Sequence, residues 1–205
     1  GYWDEQINLS TWAYEAAWRL HQWEWASWRA YEINVVYWNR LDAENSRLWN
    51  DLLVQAMERG LEARDQISAL YIRGLIAQKQ DNLIQAEHYF MQALACCNEV
   101  DHNENEAMIL NGLAEIARKR REYGKAEKLY REALVIAEDS ENREGQAVYS
   151  ANLGTLALNC HQLMESQTWY QQALGLALEV GRQDLIARVQ AGMARVLEKL
   201  DHYEE

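Results

Sequence analysis

The residue types that could perform chemistry are few and scattered along this chain. Three cysteines and five histidines occur, but Cys96-Cys97 with His102, and Cys160-His161, lack the four-ligand spacing of a structural zinc site. Three cysteines also make no disulfide framework, and such sparse use suits a reducing compartment. Neighbouring carboxylates fall at predicted helix starts, where acids favour the helix dipole rather than acid-base catalysis. We therefore expect no catalytic residue, no metal and no cofactor.

The sequence also has few features that would bind phosphate groups. No GxxxxGK[ST] phosphate loop occurs in the sequence, so nucleotide chemistry would have to lie in another part of a longer protein. A basic run, Arg118 to Arg121, ends a predicted helix, where it complements the helix dipole; otherwise it would contact an acidic peptide. The formal net charge of −12 opposes binding to a phosphate backbone. We expect no nucleic-acid partner.

The apolar residues do not form a membrane segment. No apolar run approaches the roughly 20 residues that a helix needs to span a bilayer, and no basic leader with a cleavage site precedes the first helix. Apolar residues at 49% and charged residues at 25% are ordinary for a folded globular chain. We expect an unprocessed cytoplasmic protein without a membrane partner.

The strongest signal is a segment that recurs every forty residues. It reads LIQAEHYFMQAL at 83–94, YGKAEKLYREAL at 123–134 and LMESQTWYQQAL at 163–174. Each copy has a bulky residue, a small residue three positions later, an aromatic at seven and an alanine at ten. This spacing keeps the four side chains on one helix face. A fixed period of this length is typical of helical repeat proteins.

A second set of columns predicts a partner helix in each repeat. Small residues recur forty positions apart at Gly74, Ala114, Gly154 and Ala194, where two helices can approach closely. The sequence contains no proline, so we expect Gly, Asn, Asp and Ser to make the turns between helices.

The helix pairs organise the whole sequence. We predict one solenoid over residues 1–205 with about ten helices. Its predicted units are the second helix of an incomplete leading repeat at 1–22, helix pairs at 23–60, 61–100, 101–140 and 141–181, and the first helix of a truncated final repeat at 182–205.

These columns carry a family resemblance. Gly74, Ala86, Phe90 and Ala93, with their counterparts forty and eighty residues later, match the small, small, aromatic and alanine positions of the tetratricopeptide repeat (TPR). The sequence resembles this family in a version lengthened from 34 to 40 residues. The resemblance covers residues 67–180 well and is degraded between residues 27 and 58. It implies an all-α fold, a right-handed α-solenoid in which TPR-like helix pairs form a superhelix.

A second resemblance concerns the parent protein. The segments REALVIAE at 131–138 and QALGLALEVG at 172–181 resemble segments of the repeat arrays that lie C-terminal to signalling ATPases of the STAND (NB-ARC) type. They also resemble repeat arrays of related bacterial regulators. In such proteins the array senses a ligand or partner and restrains the ATPase. The resemblance implies a sensor or regulatory role.

The first helices of such a superhelix line its concave wall. The candidate partner-binding residues on this wall are Trp28, Tyr31, Val35, Trp38, Tyr71, Gln78, Asn111, Glu115, Arg118, Asn152 and Arg195. The wall is aromatic at one end and mixed polar at the other. Chaperone-binding TPR proteins grip a peptide carboxylate with Lys and Asn, but Tyr71 and Leu75 stand at the first two of those positions here. We expect no such clamp, although Asn111 and Asn152 could hydrogen-bond an extended peptide.

Tryptophan is concentrated at the start of the chain, where eight of nine precede residue 50. Large aromatics at helical spacing pack between helices, and they also form the hot spots of protein interfaces. The sequence leaves open which applies. Residues 1–49 hold seven acidic and four basic residues, the wrong sign for anionic lipid.

We therefore predict a non-enzymatic scaffold that binds a protein or peptide on its concave face, as the sensor part of a larger signalling protein. The alternative is a structural module that self-assembles into a homo-oligomer, because the repeat array begins and ends within a repeat without polar caps.

Overall fold

The computed structural model describes residues 2–40, 42–59, 63–100 and 103–204. In these ranges the regular elements are ten α-helices, as predicted. They are α1 (Tyr2–Arg19), α2 (Trp23–Asn39), α3 (Ala43–Glu58), α4 (Ala63–Lys79), α5 (Leu83–Val100), α6 (Asn103–Lys119), α7 (Tyr123–Asp139), α8 (Arg143–Asn159), α9 (Leu163–Val180) and α10 (Gln183–Glu204).

The helix starts follow a strict spacing. From α2 onward, each helix begins twenty residues after the one before it. The forty-residue period of the sequence is therefore made of two equal halves, each of which begins with one helix.

The turns use residues in the left-handed backbone conformation, two positions before the next helix. The described examples are His21 (φ 58°), Asp81 (φ 58°), Arg121 (φ 63°), Glu141 (φ 53°), His161 (φ 60°) and Gly181 (φ 75°). Expecting only Gly, Asn, Asp and Ser at these turns was wrong. The reason lies in the hydrogen bonds of the helix end: Arg121 N–H donates to the Arg118 carbonyl and Glu122 N–H to the Ala117 carbonyl. This Schellman pattern satisfies two terminal carbonyls, which offsets the conformational cost of a side chain at positive φ.

The helices divide into two compact units, Gly1–Arg73 and Gly74–Glu205. In the first unit α2 packs against both α1 and α3. Small residues of α2 are fully buried there, including Ala26 and Ala30. The ring of Tyr14 meets Trp49 edge-on with their centroids 5.2 Å apart. Close helix approach and aromatic packing thus form this core together.

In the second unit each helix from α5 to α10 packs on its chain neighbours, and α8 also contacts both α6 and α10. The aromatic column of the sequence is its centre, since Phe90 and Tyr130 are fully buried and Tyr170 nearly so. Because α8 contacts both α6 and α10, the rings of Tyr130 in α7 and Tyr170 in α9 can each contact two of these three helices.

Glycines create the space for two of these rings. A Cβ on Gly74 would lie 2.3 Å from the Phe90 ring, and one on Gly112 would lie 2.8 Å from it. Tyr170 is accommodated in the same way by Gly154 and Gly192. The sequence pattern identified Gly74 and Gly154 but missed Gly112 and Gly192. These two glycines stand eighty residues apart, and the position midway between them in the repeat is Asn152 rather than a glycine.

Candidate partner-binding face

In the first unit, the predicted binding residues of α2 share one helix face. Trp28 is 47% exposed, and its ring lies 5.9 Å from that of Tyr31 in a tilted arrangement. Tyr31 and Val35 are half-buried, and burial raises the pKa of the Tyr31 hydroxyl. The side chain of Trp38 lies outside the described residues. Tyr71 of α4 is half-buried.

The tryptophans of this unit are divided between the core and the surface. Trp49 is buried, while Trp12 is 72% and Trp25 57% exposed. Trp18 and Trp23 pack edge-on with centroids 5.2 Å apart. Some of these side chains therefore belong to the core, and others present an aromatic surface to solvent.

An exposed arginine lies beside two half-buried rings of this aromatic group. The guanidinium of Arg59 lies 5.0 Å from the centre of the Trp18 ring and 5.9 Å from that of Trp23. A cation over an aromatic face is attracted by the ring quadrupole. Burial raises the pKa of the nearby Tyr14 to about 12, although the charge of Arg59 opposes that rise. Arg59 thereby links the end of α3 to α1 and α2.

In the second unit, two predicted asparagines contact each other. The Nδ2 amide of Asn152 in α8 donates to Oδ1 of Asn111 in α6 over 2.7 Å. Each amide keeps donor and acceptor capacity beyond this bond. The pair therefore joins two neighbouring helices and presents amide groups in a row.

Glu115 and Arg118 form an ion pair on the same face of α6. The Arg118 Nε donates to both Glu115 carboxylate oxygens, over 3.2 and 2.9 Å, and the Tyr130 hydroxyl donates to Oε2 over 2.6 Å. Burial alone would raise the pKa of Glu115, but the hydrogen bonds from Arg118 and Tyr130 outweigh it and lower the pKa. Glu115 is thus an ionised carboxylate that these two partners already engage.

Two further cations of the basic run are also paired within the chain. The Lys119 ammonium lies 3.3 Å from the Asp81 carboxylate, and Arg120 contacts Glu87. Carboxylates of this chain, rather than the helix dipole alone, therefore account for these two cations. Arg121 occupies the left-handed turn.

The two remaining predicted residues differ in accessibility. Arg195 is exposed on α10. The Nε2 atom of Gln78 is buried and has no hydrogen-bond partner among the described residues. The binding role of all eleven residues stays a prediction.

One cleft of the second unit escaped the sequence interpretation. It has a volume of about 330 Å³ and lies where α7 and α9 begin and α8 ends. Its lining includes Tyr123, Glu127, Leu156, Cys160, Glu165 and Trp169. A comparison of residues forty positions apart could have revealed this cleft. Cys160 and Glu165 occupy the positions that Arg120 and Lys125 occupy in the preceding repeat.

The thiols of this unit show no sign of activation. Cys97 and Cys160 are free cysteines. Burial raises the pKa of Cys97 to about 11, so its thiol stays protonated at neutral pH. Among the described residues, no group of three or more His, Cys, Asp or Glu side chains could hold a metal. Nor does any helix in the described ranges have the length and apolarity to cross a membrane.

The sequence matches a known family over part of its length. The matching model is that of the tetratricopeptide repeat, over residues 65–139. Residues 65–139 belong to the tetratricopeptide repeat family. A search of curated proteins finds no sequence match.

Solved structures extend the TPR likeness to the remaining helices. BtubC (BKLC) from P. vanneervenii has a TM-score of 0.78 at 16% identity, over 100% of this chain and 86% of that one. The STAND protein PH0952 from Pyrococcus horikoshii, which has a TPR sensor, has a TM-score of 0.67 at 18% identity, over 87% of this chain and 27% of that one. TPR-like repeats of a Podosopora anserina protein assigned as a kinesin light chain have a TM-score of 0.63 at 12% identity, over 85% and 87%.

These likenesses establish the fold. The chain is an all-α TPR solenoid, as the sequence predicted. At 12–18% identity they establish the fold alone, so partners have to be argued from the residues of this chain.

Proposed function

We propose that this TPR chain is a scaffold that binds a protein or peptide partner, with Trp28 and Tyr31 as contacts in the first unit and Asn111 and Asn152 as separate contacts in the second. The TPR fold supports a protein partner in general. The half-exposed Trp28 ring carries the specific proposal, because a tryptophan that rests against a neighbouring ring is a rigid anchor for an apolar side chain. In the second unit, we propose that Asn111 and Asn152 hydrogen-bond the backbone of an extended segment.

The face of α6 that carries Asn111 and Glu115 supports a binding role rather than catalysis. Its carboxylate, Glu115, is ionised and already paired with Arg118 and Tyr130, so it is a poor proton donor at neutral pH. We therefore propose a non-enzymatic role. The free thiols Cys97 and Cys160 fit a reducing cytoplasm.

We further propose that the chain is the sensor part of a larger signalling protein. The support is its likeness to a STAND protein with a TPR sensor, of which it spans 27%. The regular helix starts support the division into helix pairs at 23–60, 61–100, 101–140 and 141–181.

A peptide selection tests the binding face. Peptides selected from a random displayed library against the whole chain would be measured by calorimetry with the wild type, Trp28→Ala and Trp12→Ala. Trp12 is the matched control, because it is more exposed than Trp28 but lies on α1. We expect Trp28→Ala to weaken binding about tenfold or more and Trp12→Ala to leave it unchanged. Equal affinities for the two variants would contradict the proposal.

Self-association is a second candidate function, favoured by one observation. Leu9 and Trp12 stand three residues apart on α1 and are 70% and 72% exposed. Adjacent exposed apolar side chains are typical of contact surfaces. Light scattering across concentration would show a dimer that Trp12→Arg disrupts, whereas a monomer at every concentration removes this candidate.

A further inference from the structure

We propose that the cleft at the start of α7 and α9 binds the guanidinium group of an arginine side chain on a partner protein. This site lies on the second unit, its lining includes none of the predicted binding residues, and the inference does not depend on them. Its elements are a cavity of side-chain size, two carboxylates and two aromatic walls.

The preceding repeat shows which groups bind the glutamate that corresponds to Glu127. There Glu87 stands forty residues before Glu127 and is contacted by Arg120 and by the Lys125 ammonium, the latter over 3.3 Å. The Glu87 side chain is 24% exposed. A guanidinium and an ammonium of the chain itself thus cover this glutamate.

The repeat that holds the cleft has lost both cations. Cys160 stands where Arg120 stood, and Glu165 stands where Lys125 stood. The side chains of Glu127 and Glu165 are 48% and 41% exposed, so both are more accessible than Glu87 in the preceding repeat. A cysteine side chain is much shorter than an arginine, so the replacement also leaves room.

The charge of the cleft favours a cation. Arg131 is the internal counterion: it lies 2.9 Å from Glu127 and 3.6 Å from Glu165. One positive charge against two negative charges leaves a net charge of −1. Cys160 also lines the cleft, and burial, Glu127 and Glu165 all raise the pKa of its thiol.

The walls favour a planar cation over a compact one. Tyr123 and Trp169 line the cleft, and the guanidinium of Arg131 already lies 5.3 Å from the centre of the Trp169 ring. A second guanidinium could insert between the carboxylates and the aromatic walls, since arginine stacks on rings and donates two parallel hydrogen bonds to a carboxylate.

The test titrates the whole chain with N-acetyl-arginine amide and follows the indole N–H signal of Trp169 by NMR, assigned with Trp169→Phe. We expect a saturable shift with a dissociation constant on the order of 10 mM, as suits a single side chain. The lysine analogue should bind more weakly, and the neutral citrulline analogue should not bind. Equal binding of the citrulline analogue, or no shift with the arginine analogue, would overturn the proposal.

Two variants and one control variant locate the site. Glu165→Gln should weaken binding about tenfold, whereas Glu132→Gln, an exposed acid of the same region on α7, should not change it. Cys160→Arg introduces the residue type found forty positions earlier, at Arg120. Its side chain should fill the cleft and abolish binding of the arginine analogue. Unchanged affinity in Cys160→Arg would show that the analogue binds elsewhere.

Discussion

Gly112 of α6 lies against the ring of Phe90 in α5, so closely that an added Cβ would be 2.8 Å from two ring carbons. Phe90 is fully buried and is held on its other side by Gly74. The absence of two side chains on the flanking helices is therefore what allows the aromatic residue of the repeat to fit.

Gly112→Ala should destabilise the chain by about 1–3 kcal/mol, because the new methyl group overpacks a filled site. Gly175→Ala is the matched control. Gly175 is also within a helix, but a Cβ there meets nothing within 4 Å. We expect this control to stabilise by about 0.5–1 kcal/mol through helix propensity. Urea unfolding followed by circular dichroism measures both, and a neutral Gly112→Ala would contradict the packing argument.

Glu141→Gly should stabilise the chain by about 0.5–1 kcal/mol. Glu141 adopts φ 53°, a conformation that costs a residue with a side chain more than it costs glycine. Gly181→Ala tests the reverse change, because Gly181 has φ 75° and open space around its missing Cβ. That variant should lose about 1 kcal/mol. Thermal unfolding measures the stability of both variants. A change of the same sign in the two variants would contradict the argument from positive φ.

Two buried serines should respond in opposite directions to alanine. The Ser166 hydroxyl donates to the Gly154 carbonyl over 2.7 Å, so Ser166→Ala should destabilise by about 1–2 kcal/mol. The Ser150 hydroxyl is buried and has no partner among the described residues, so Ser150→Ala should stabilise by up to about 1 kcal/mol. The same denaturant titration measures both. A loss of stability in Ser150→Ala would reveal a partner for its hydroxyl.

Acid should destabilise the chain in part through Glu115. Hydrogen bonds from Arg118 and Tyr130 outweigh burial and place its folded pKa below the ordinary value. A lowered folded pKa means stability that is complete above the unfolded pKa of about 4.3 and lost as pH falls through the folded pKa. Glu115→Gln should therefore flatten the fall in unfolding free energy below about pH 4. Glu132→Gln, an exposed acid, should leave that slope unchanged.

The helices and most of the core could be predicted because they repeat. Ala86, Phe90 and Ala93 share a helix face by spacing alone, and all three are fully buried. Positive φ at Arg121 was not predictable from residue preference, since arginine has no special tendency toward it. The hydrogen bonds of the helix end impose that conformation there.

The predicted face was harder to judge, because helix position does not give side-chain partners. Asn111 and Asn152 were predicted as peptide contacts, and their contact with each other depends on how closely α6 and α8 approach. The acidic cleft was missed for the same reason. Glu127, Cys160 and Glu165 belong to three different helices or turns, and only folding brings them together.

The sequence by itself determined the period, the number of helices and the repeated core columns such as Ala86, Phe90 and Ala93, because a forty-residue repeat fixes which side chains share a face. Only the tertiary structure decided that Tyr130 binds Glu115 and that Arg131 spans Glu127 and Glu165. The physical reason is that hydrogen bonds and ion pairs act over a few ångströms between helices, and spacing along one chain does not specify those distances.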